Sequence, residues 1–227
     1  MAIICHDIQL LFIMTPRTAC TAIGKLLFER FGGEYIPAQS LIDNQGNFIV
    51  RKKHSTLTDL IQHNLINQSI IDDYFKVATV RNPFDSLVSL YVKKRESYAS
   101  QLDDPKSWVH SVPGYVEDMK FCQTHSFDDW IAKTFAPPTF KRFLNRGKQS
   151  LFDGFTSGVN QVMRFEQVQS NLQSVLQEIG VKEEFEIPKI NQTQEKIKAY
   201  RDYYTPRSRA TIEYVFSKDI ATYGYQF

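Results

Sequence analysis

The chain has 227 residues, 42% of them apolar and 23% charged, with a formal net charge of +2. That length can bury a sizeable core and predicts a single domain over residues 1–227. So small a net charge gives no bulk electrostatic case for a nucleic-acid partner or a membrane surface, so the grip on any anionic ligand has to be local.

Taken in chain order, the stretch from Met1 to Met14 is apolar but carries Cys5, His6, Asp7 and Gln9. It lacks a basic start and a small-residue cleavage site, and it is too short to cross a bilayer. Cys5, Cys20 and Cys122 share no metal-ligand spacing and predict reduced thiols, as in a cytoplasmic protein. Strand-like runs at 8–14, 47–50, 75–80 and 161–165 alternate with helical patterns. The alternation predicts an α/β fold, a central parallel sheet flanked by helices.

The first helix carries Ile23, Leu26, Leu27 and Phe28 at helical spacing and should stop near Phe31, before Gly32-Gly33. From Gln167 to Ile179 the residues Leu172, Val175, Leu176 and Ile179 share a face, with Gly180 as a C-cap. Thr205 is placed to cap a helix that has Pro206 at its first position, with an apolar stripe of Ile212, Val215, Phe216 and Ile220.

Two strand-to-helix turns stand out, Thr15-Pro16-Arg17-Thr18-Ala19-Cys20-Thr21 after the first strand and Arg81-Asn82-Pro83-Phe84-Asp85 after the third. Backbone N–H groups and the positive dipole end of a helix favour an anion at such a turn. A guanidinium at each turn adds a fork of donors suited to phosphate oxygens. In open parallel sheets, ligands lie beyond the carboxyl ends of the strands, where both turns fall.

These residues resemble the PAPS-dependent sulfotransferases, which use 3′-phosphoadenosine 5′-phosphosulfate. The family's 5′-phosphosulfate loop, Pro-Lys-Thr/Ser-Gly-Gly/Thr-Thr, is similar to Pro16-Arg17-Thr18-Ala19-Cys20-Thr21, with Arg17 replacing the usual Lys and Ala19 and Cys20 replacing small glycines. Its 3′-phosphate signature is matched by Arg81-Asn82-Pro83-Phe84-Asp85 with Ser89 and Tyr91, and its usual ending by Phe216–Ile220 and Tyr223–Phe227. The resemblance covers roughly residues 8–227, although about 96–160 carries no matching motif. It implies a three-layer, P-loop-NTPase-like architecture and transfer of a sulfuryl group from PAPS to an acceptor hydroxyl, with release of 3′,5′-ADP. Golgi members carry a membrane anchor that Met1–Met14 does not provide, so a cytoplasmic enzyme is expected.

The resemblance also implies roles. Arg17 would stabilise charge on the leaving oxygen, with the backbone of Thr18, Ala19, Cys20, Thr21 and Ala22 and the Thr21 hydroxyl holding the other oxygens. Arg81 and Ser89 would clamp the 3′-phosphate, and Phe165 would lie beside adenine. A further basic contact is expected from Lys198 or Arg201, with Arg201 preferred. His54 follows the Phe48–Val50 run in a Lys-His segment and is the expected general base, with Lys53 as supporting cation; histidine suits neutral pH. His6, His63, His110 and His125 are the other imidazoles, and Glu96 or Asp103 is a carboxylate alternative. The aromatic stretch Tyr98–Phe155 could shape a pocket for a small-molecule or carbohydrate acceptor.

Two other readings compete. A P-loop kinase using ATP and magnesium needs Gly-x-x-x-x-Gly-Lys-Ser/Thr, but Ala19 holds the first glycine position and Leu26 the hydroxyl position. Gly24-Lys25 then reads as helix surface, and no metal is expected. The degenerate Pro16–Thr21 loop also fits a non-catalytic nucleotide-binding protein.

Overall fold

The structure, a computed structural model, describes residues 2–46, 48–135, 149–190 and 199–227. Asn47, Lys198 and residues 136–148 of the aromatic stretch lie outside the described residues. The chain divides into two compact units, Met1–Arg81 with Phe152–Asn191, and Asn82–Leu151 with Gln192–Phe227.

The first unit is built on a five-stranded sheet in the order β3-β1-β2-β6-β7, namely Glu34–Ile36, Ala2–Cys5, Leu10–Ile13, Phe75–Val80 and Gln161–Arg164. The sheet is mixed rather than parallel. β2, β6 and β7 run parallel, but β1 is antiparallel to both β2 and β3. The reason is local. Between β1 and β2 the chain reverses over His6–Gln9, where the Gln9 N–H donates to the His6 carbonyl at 3.2 Å. A turn that tight can only make a hairpin, because a parallel return needs a long crossover. The described part of the strand-like run at 47–50 likewise falls outside the main sheet. Its Phe48–Val50 (β5) pairs with Leu41–Ile42 (β4) in a separate two-stranded ribbon.

Every second side chain of the sheet goes to one face. Ile3, Cys5, Leu10, Phe12 and Val77 pack against α1 (Cys20–Arg30) and the helix Val168–Glu178. Ala2, Ile4, Leu11, Ile13 and Ala78 pack against α2 (Leu57–Gln62), α3 (Gln68–Asp73) and the turn at Asp153–Thr156. The unit is therefore helix on sheet on helix. α2 starts where it does because Thr56 and Asp59 cap each other, at 3.1 and 2.7 Å. Lys76 points to this face from a buried strand, and its Nζ donates to the Ile71 and Tyr74 carbonyls, both at 2.7 Å, closing the end of α3.

α1 ends at Arg30, as expected, but two details differ from the sequence reading. Phe28 is 56% exposed and stacks on Tyr35 instead of joining the core. Gly24 faces inward, where a Cβ would sit 2.7 Å from Ile3 Cδ1; only Lys25 is on the surface, paired with Glu29.

The second unit is helical. Asn82 caps α4 (Pro83–Val92), its Oδ1 accepting from the Phe84 N–H at 3.0 Å, and Pro83 takes the first helical position. The helix continues as a π-turn over Lys93–Ser97. Phe84, Leu87, Val88 and Tyr91 form a core with Phe127, Trp130 and the stripe Ile212, Val215, Phe216. Thr205 and Pro206 start the helix Pro206–Val215 as anticipated. Asp118 ties this unit together, pairing with Lys94 and accepting from Trp130 Nε1 at 3.1 Å.

Gly33 gives the sharpest test of this packing. Its N–H donates to the Leu27 carbonyl, and an added Cβ would lie 2.9 Å from that backbone. Backbone cannot move aside as a side-chain tip can, so Gly33→Ala should cost about 1–3 kcal/mol in chemical denaturation. Unchanged stability would refute the close approach.

Candidate active site

The strand pairing places both turns side by side. β2 and β6 are parallel in the register Ile13↔Ala78, so their carboxyl ends, and the turns that follow, leave the sheet at the same edge. The first turn is strained. Arg17 and Ala19 have φ of 65° and 58°, a left-handed backbone that costs a residue with a Cβ about 1–2 kcal/mol. Thr18 is fully buried and its Oγ1 donates to the Thr15 carbonyl at 2.9 Å, closing the loop on itself. α1 then begins with no side chain capping it. Its first hydrogen bonds run from Ala22 and Ile23 to the Ala19 carbonyl, so the helix itself offers no carbonyl to the N–H groups of Cys20 and Thr21. Burial keeps the Cys20 thiol protonated by raising its pKa, against smaller opposing effects of Thr21 and Arg17.

Arg81 joins the second turn to the first. Its side chain, 9% exposed, sends Nη1 to the Arg17 carbonyl at 2.9 Å. The same guanidinium lies over the Phe165 ring, 4.2 Å from its centroid. Arg17, Arg81 and Phe165, three of the residues singled out from sequence, are thus brought together around one guanidinium. Phe165 is positioned by the end of β7, which pairs with β6 as far as Val80↔Arg164.

His54, from the segment after β5, meets the chain just before the first turn. It also has a left-handed backbone, with φ of 63°. Nδ1 lies 2.9 Å from the Met14 carbonyl, the last carbonyl before Thr15. A carbonyl only accepts, so Nδ1 carries the proton and Nε2 keeps its lone pair. The ring meets Phe155 edge-on at 6.5 Å. Burial lowers the imidazole pKa to about 4; the Met14 carbonyl works against this, while the charges of Lys53 and Arg17 reinforce it. His54 is therefore neutral at pH 7 in the tautomer a base needs. Lys53 beside it is exposed.

The remaining candidates lie in the second unit. Ser89 is fully buried on α4. Arg201 is exposed, donates from Nη2 to the Phe227 main-chain oxygen at 3.1 Å and lies 5.0 Å from the Tyr200 ring. In the Arg-Asn-Pro sequence, Asn82 has a structural task as well as a place in the motif. Beyond capping α4, its Nδ2 donates to the Gln226 carbonyl at 2.9 Å. Three buried hydroxyls without a hydrogen-bond partner among the described residues escaped the sequence reading, Ser86 Oγ on α4 and two near the carboxyl ends of β2 and β6. The latter two are Thr15 Oγ1 and Thr79 Oγ1. Hydroxyl residues at the carboxyl ends of adjacent parallel strands were the signal available. Among the described residues no cluster of three or more His, Cys, Asp or Glu could hold a metal ion, and no helix is long and apolar enough to cross a membrane.

The first unit thus sets a strained loop, opening an uncapped helix, beside a neutral, oriented imidazole. The model of the sulfotransferase family matches residues 1–226, nearly the whole chain, and the protein belongs to that family as a sulfotransferase. No curated protein and no solved structure matches it.

The state of His54 makes stability depend on pH. The folded imidazole takes a proton only near pH 4, the unfolded one near its ordinary 6.5. Between those values the unfolded chain binds the extra proton, so the contribution is complete above 6.5 and shrinks as pH falls toward 4. His54→Asn keeps a donor for Met14 and tolerates the left-handed backbone. Its stability should fall less than wild type over that window in paired urea titrations; parallel curves would refute the neutral buried imidazole.

Proposed function

We propose that the protein moves a sulfuryl group from PAPS to an acceptor hydroxyl, releasing 3′,5′-ADP, with both units acting as one catalytic domain and the first unit supplying a P-loop-like phosphate cradle. The observation that carries this reading is the His54–Met14 bond. It anchors the imidazole to the residue from which the Thr15–Ala19 loop departs, with Nε2 able to accept a proton.

The residues present fit a phosphosulfate. The uncapped start of α1 and two of the buried hydroxyls that lack a hydrogen-bond partner among the described residues, Thr15 and Thr79, are donors in want of an acceptor. When bound, PAPS supplies an electrophilic sulfur and a stable leaving group. The N–H groups of Ala19, Cys20 and Thr21, with Thr18 closing the loop, hold the oxygens around that sulfur, the Ala22 N–H being taken by the Ala19 carbonyl. Arg17 stabilises charge gathering on the departing oxygen, since preorganised cations act where charge develops. His54 Nε2 takes the proton of the acceptor hydroxyl as its oxygen attacks. A base near 4 is weak in the free protein. Anionic charge in the loop would offset Lys53 and Arg17 and raise the imidazole pKa back toward its ordinary value. Arg81, stacked on Phe165, takes the 3′-phosphate, with adenine against the aromatic ring. Ser89, from the 3′-phosphate signature, and Arg201, as the further basic contact the resemblance implies, complete the hold on that phosphate.

Calorimetry with 3′,5′-ADP, against ATP plus magnesium, tests the donor. Arg81→Lys keeps a charge but loses the fork, and should weaken 3′,5′-ADP binding by roughly tenfold or more. Preference for ATP plus magnesium in the wild type would overturn the reading. His54→Asn should keep 3′,5′-ADP affinity while single-turnover transfer falls about 10²–10⁴-fold, the usual worth of a general base. Wild-type transfer in that variant would remove His54 as the base.

A further inference from the structure

We propose that the β4–β5 hairpin leading into His54 is the docking platform for the acceptor, and that it selects acceptors bearing both an apolar body and an anionic group. The inference rests on His54 as the base, because the group lying beside that imidazole is the one that loses its proton.

Ile42 and Phe48 are cross-strand partners, so their side chains share a face of the ribbon, yet they are 59% and 41% exposed. Ile49 is 48% exposed. Bulky apolar side chains concentrated on so short a ribbon mark a contact surface rather than ordinary solvent-facing sequence. Three cations, Arg51, Lys52 and Lys53, follow at once and are all exposed. Asp43 is the one acid in residues 37–54. Charge and grease are presented together: the Arg51 guanidinium lies over the Phe48 ring, 4.5 Å from its centroid. The Lys52 N–H donates to Ser40 Oγ at 2.8 Å, tying the cationic run back to the start of the ribbon. From Arg51 to His54 is three residues, a reach of roughly 10 Å at most.

These features choose the occupant. A neutral apolar acceptor would leave the cations unanswered, and a wholly polar anion would leave Ile42 and Phe48 in water. An amphiphilic anion meets both, with its hydrocarbon or aromatic part on the ribbon and its charge among Arg51, Lys52 and Lys53. Exposed ion pairs are individually weak and screened by salt, so they act here as a selector that operates best at low ionic strength.

The test uses n-octyl phosphate as the probe, with n-octyl glucoside and inorganic phosphate as controls, titrated calorimetrically at low salt with 3′,5′-ADP present to fill the phosphate loop. Octyl phosphate should bind at least about tenfold tighter than either control, and Arg51→Glu/Lys52→Glu should lose about tenfold of that affinity. Phe48→Ser should weaken octyl phosphate while leaving the melting temperature close to wild type. In turnover, 3-(4-hydroxyphenyl)propionate should be preferred over 4-propylphenol, and the preference should vanish in the charge-reversed variant. Equal binding of octyl glucoside, equal binding of inorganic phosphate, or parity between the two phenols overturns the proposal. Binding to anionic vesicles without binding of monomeric octyl phosphate overturns it in favour of a membrane surface. Failure of the wild type to bind 3′,5′-ADP would instead strike the donor reading, and the octyl phosphate result on the hairpin variants would still be readable.

Discussion

The hydrogen bond from Arg81 to the Arg17 carbonyl is where two separate pieces of chain become one site. It needs two things in place. The first is the parallel pairing of β2 with β6, which brings two strand ends to the same edge of the sheet. The second is the left-handed backbone at Arg17 in the strained turn. Strain of this kind persists only where its surroundings over-determine it. Here the Thr18 hydroxyl and the Arg81 guanidinium hold one short loop from two sides, to Thr15 and to Arg17.

The same logic extends to His54. Its ring is held by a main-chain carbonyl, so its tautomer is set by the end of β2 rather than by a neighbouring carboxylate. That choice has an electrostatic consequence. Burial, reinforced by the charges of Lys53 and Arg17, drives the imidazole neutral. The first unit therefore carries cations at Arg17 and Arg81 and a neutral imidazole at His54, an arrangement consistent with the proposed anionic donor and proton-bearing acceptor.

Much of this was legible in order but not in orientation. The helices starting at Thr205-Pro206 and stopping at Gly32-Gly33 or Gly180 follow from capping chemistry, which acts within a few residues. The antiparallel entry of β1 was hidden because Met1–Met14 reads as one apolar run, and the turn at His6–Gln9 carries neither Gly nor Pro. Gly24 reads as helix surface once the P-loop pattern fails at Ala19 and Leu26; the close approach of α1 to Ile3 is a tertiary fact. Phe28 fits the helical apolar pattern yet stays out of the core, where Tyr35 partly covers it.

By itself, the sequence determined the two arginine-bearing turns, the Lys-His segment and the family to which their spelling belongs, because motif and capping signals depend on neighbours along the chain. Only the tertiary structure decided that Arg81 lies on Phe165 and on the Arg17 carbonyl, that His54 is neutral with Nε2 unprotonated, and that Thr15 and Thr79 carry buried hydroxyls without partners among the described residues. Those facts arise from strand register and from burial, which join residues dozens of positions apart, and no local pattern encodes the solvent each side chain has lost.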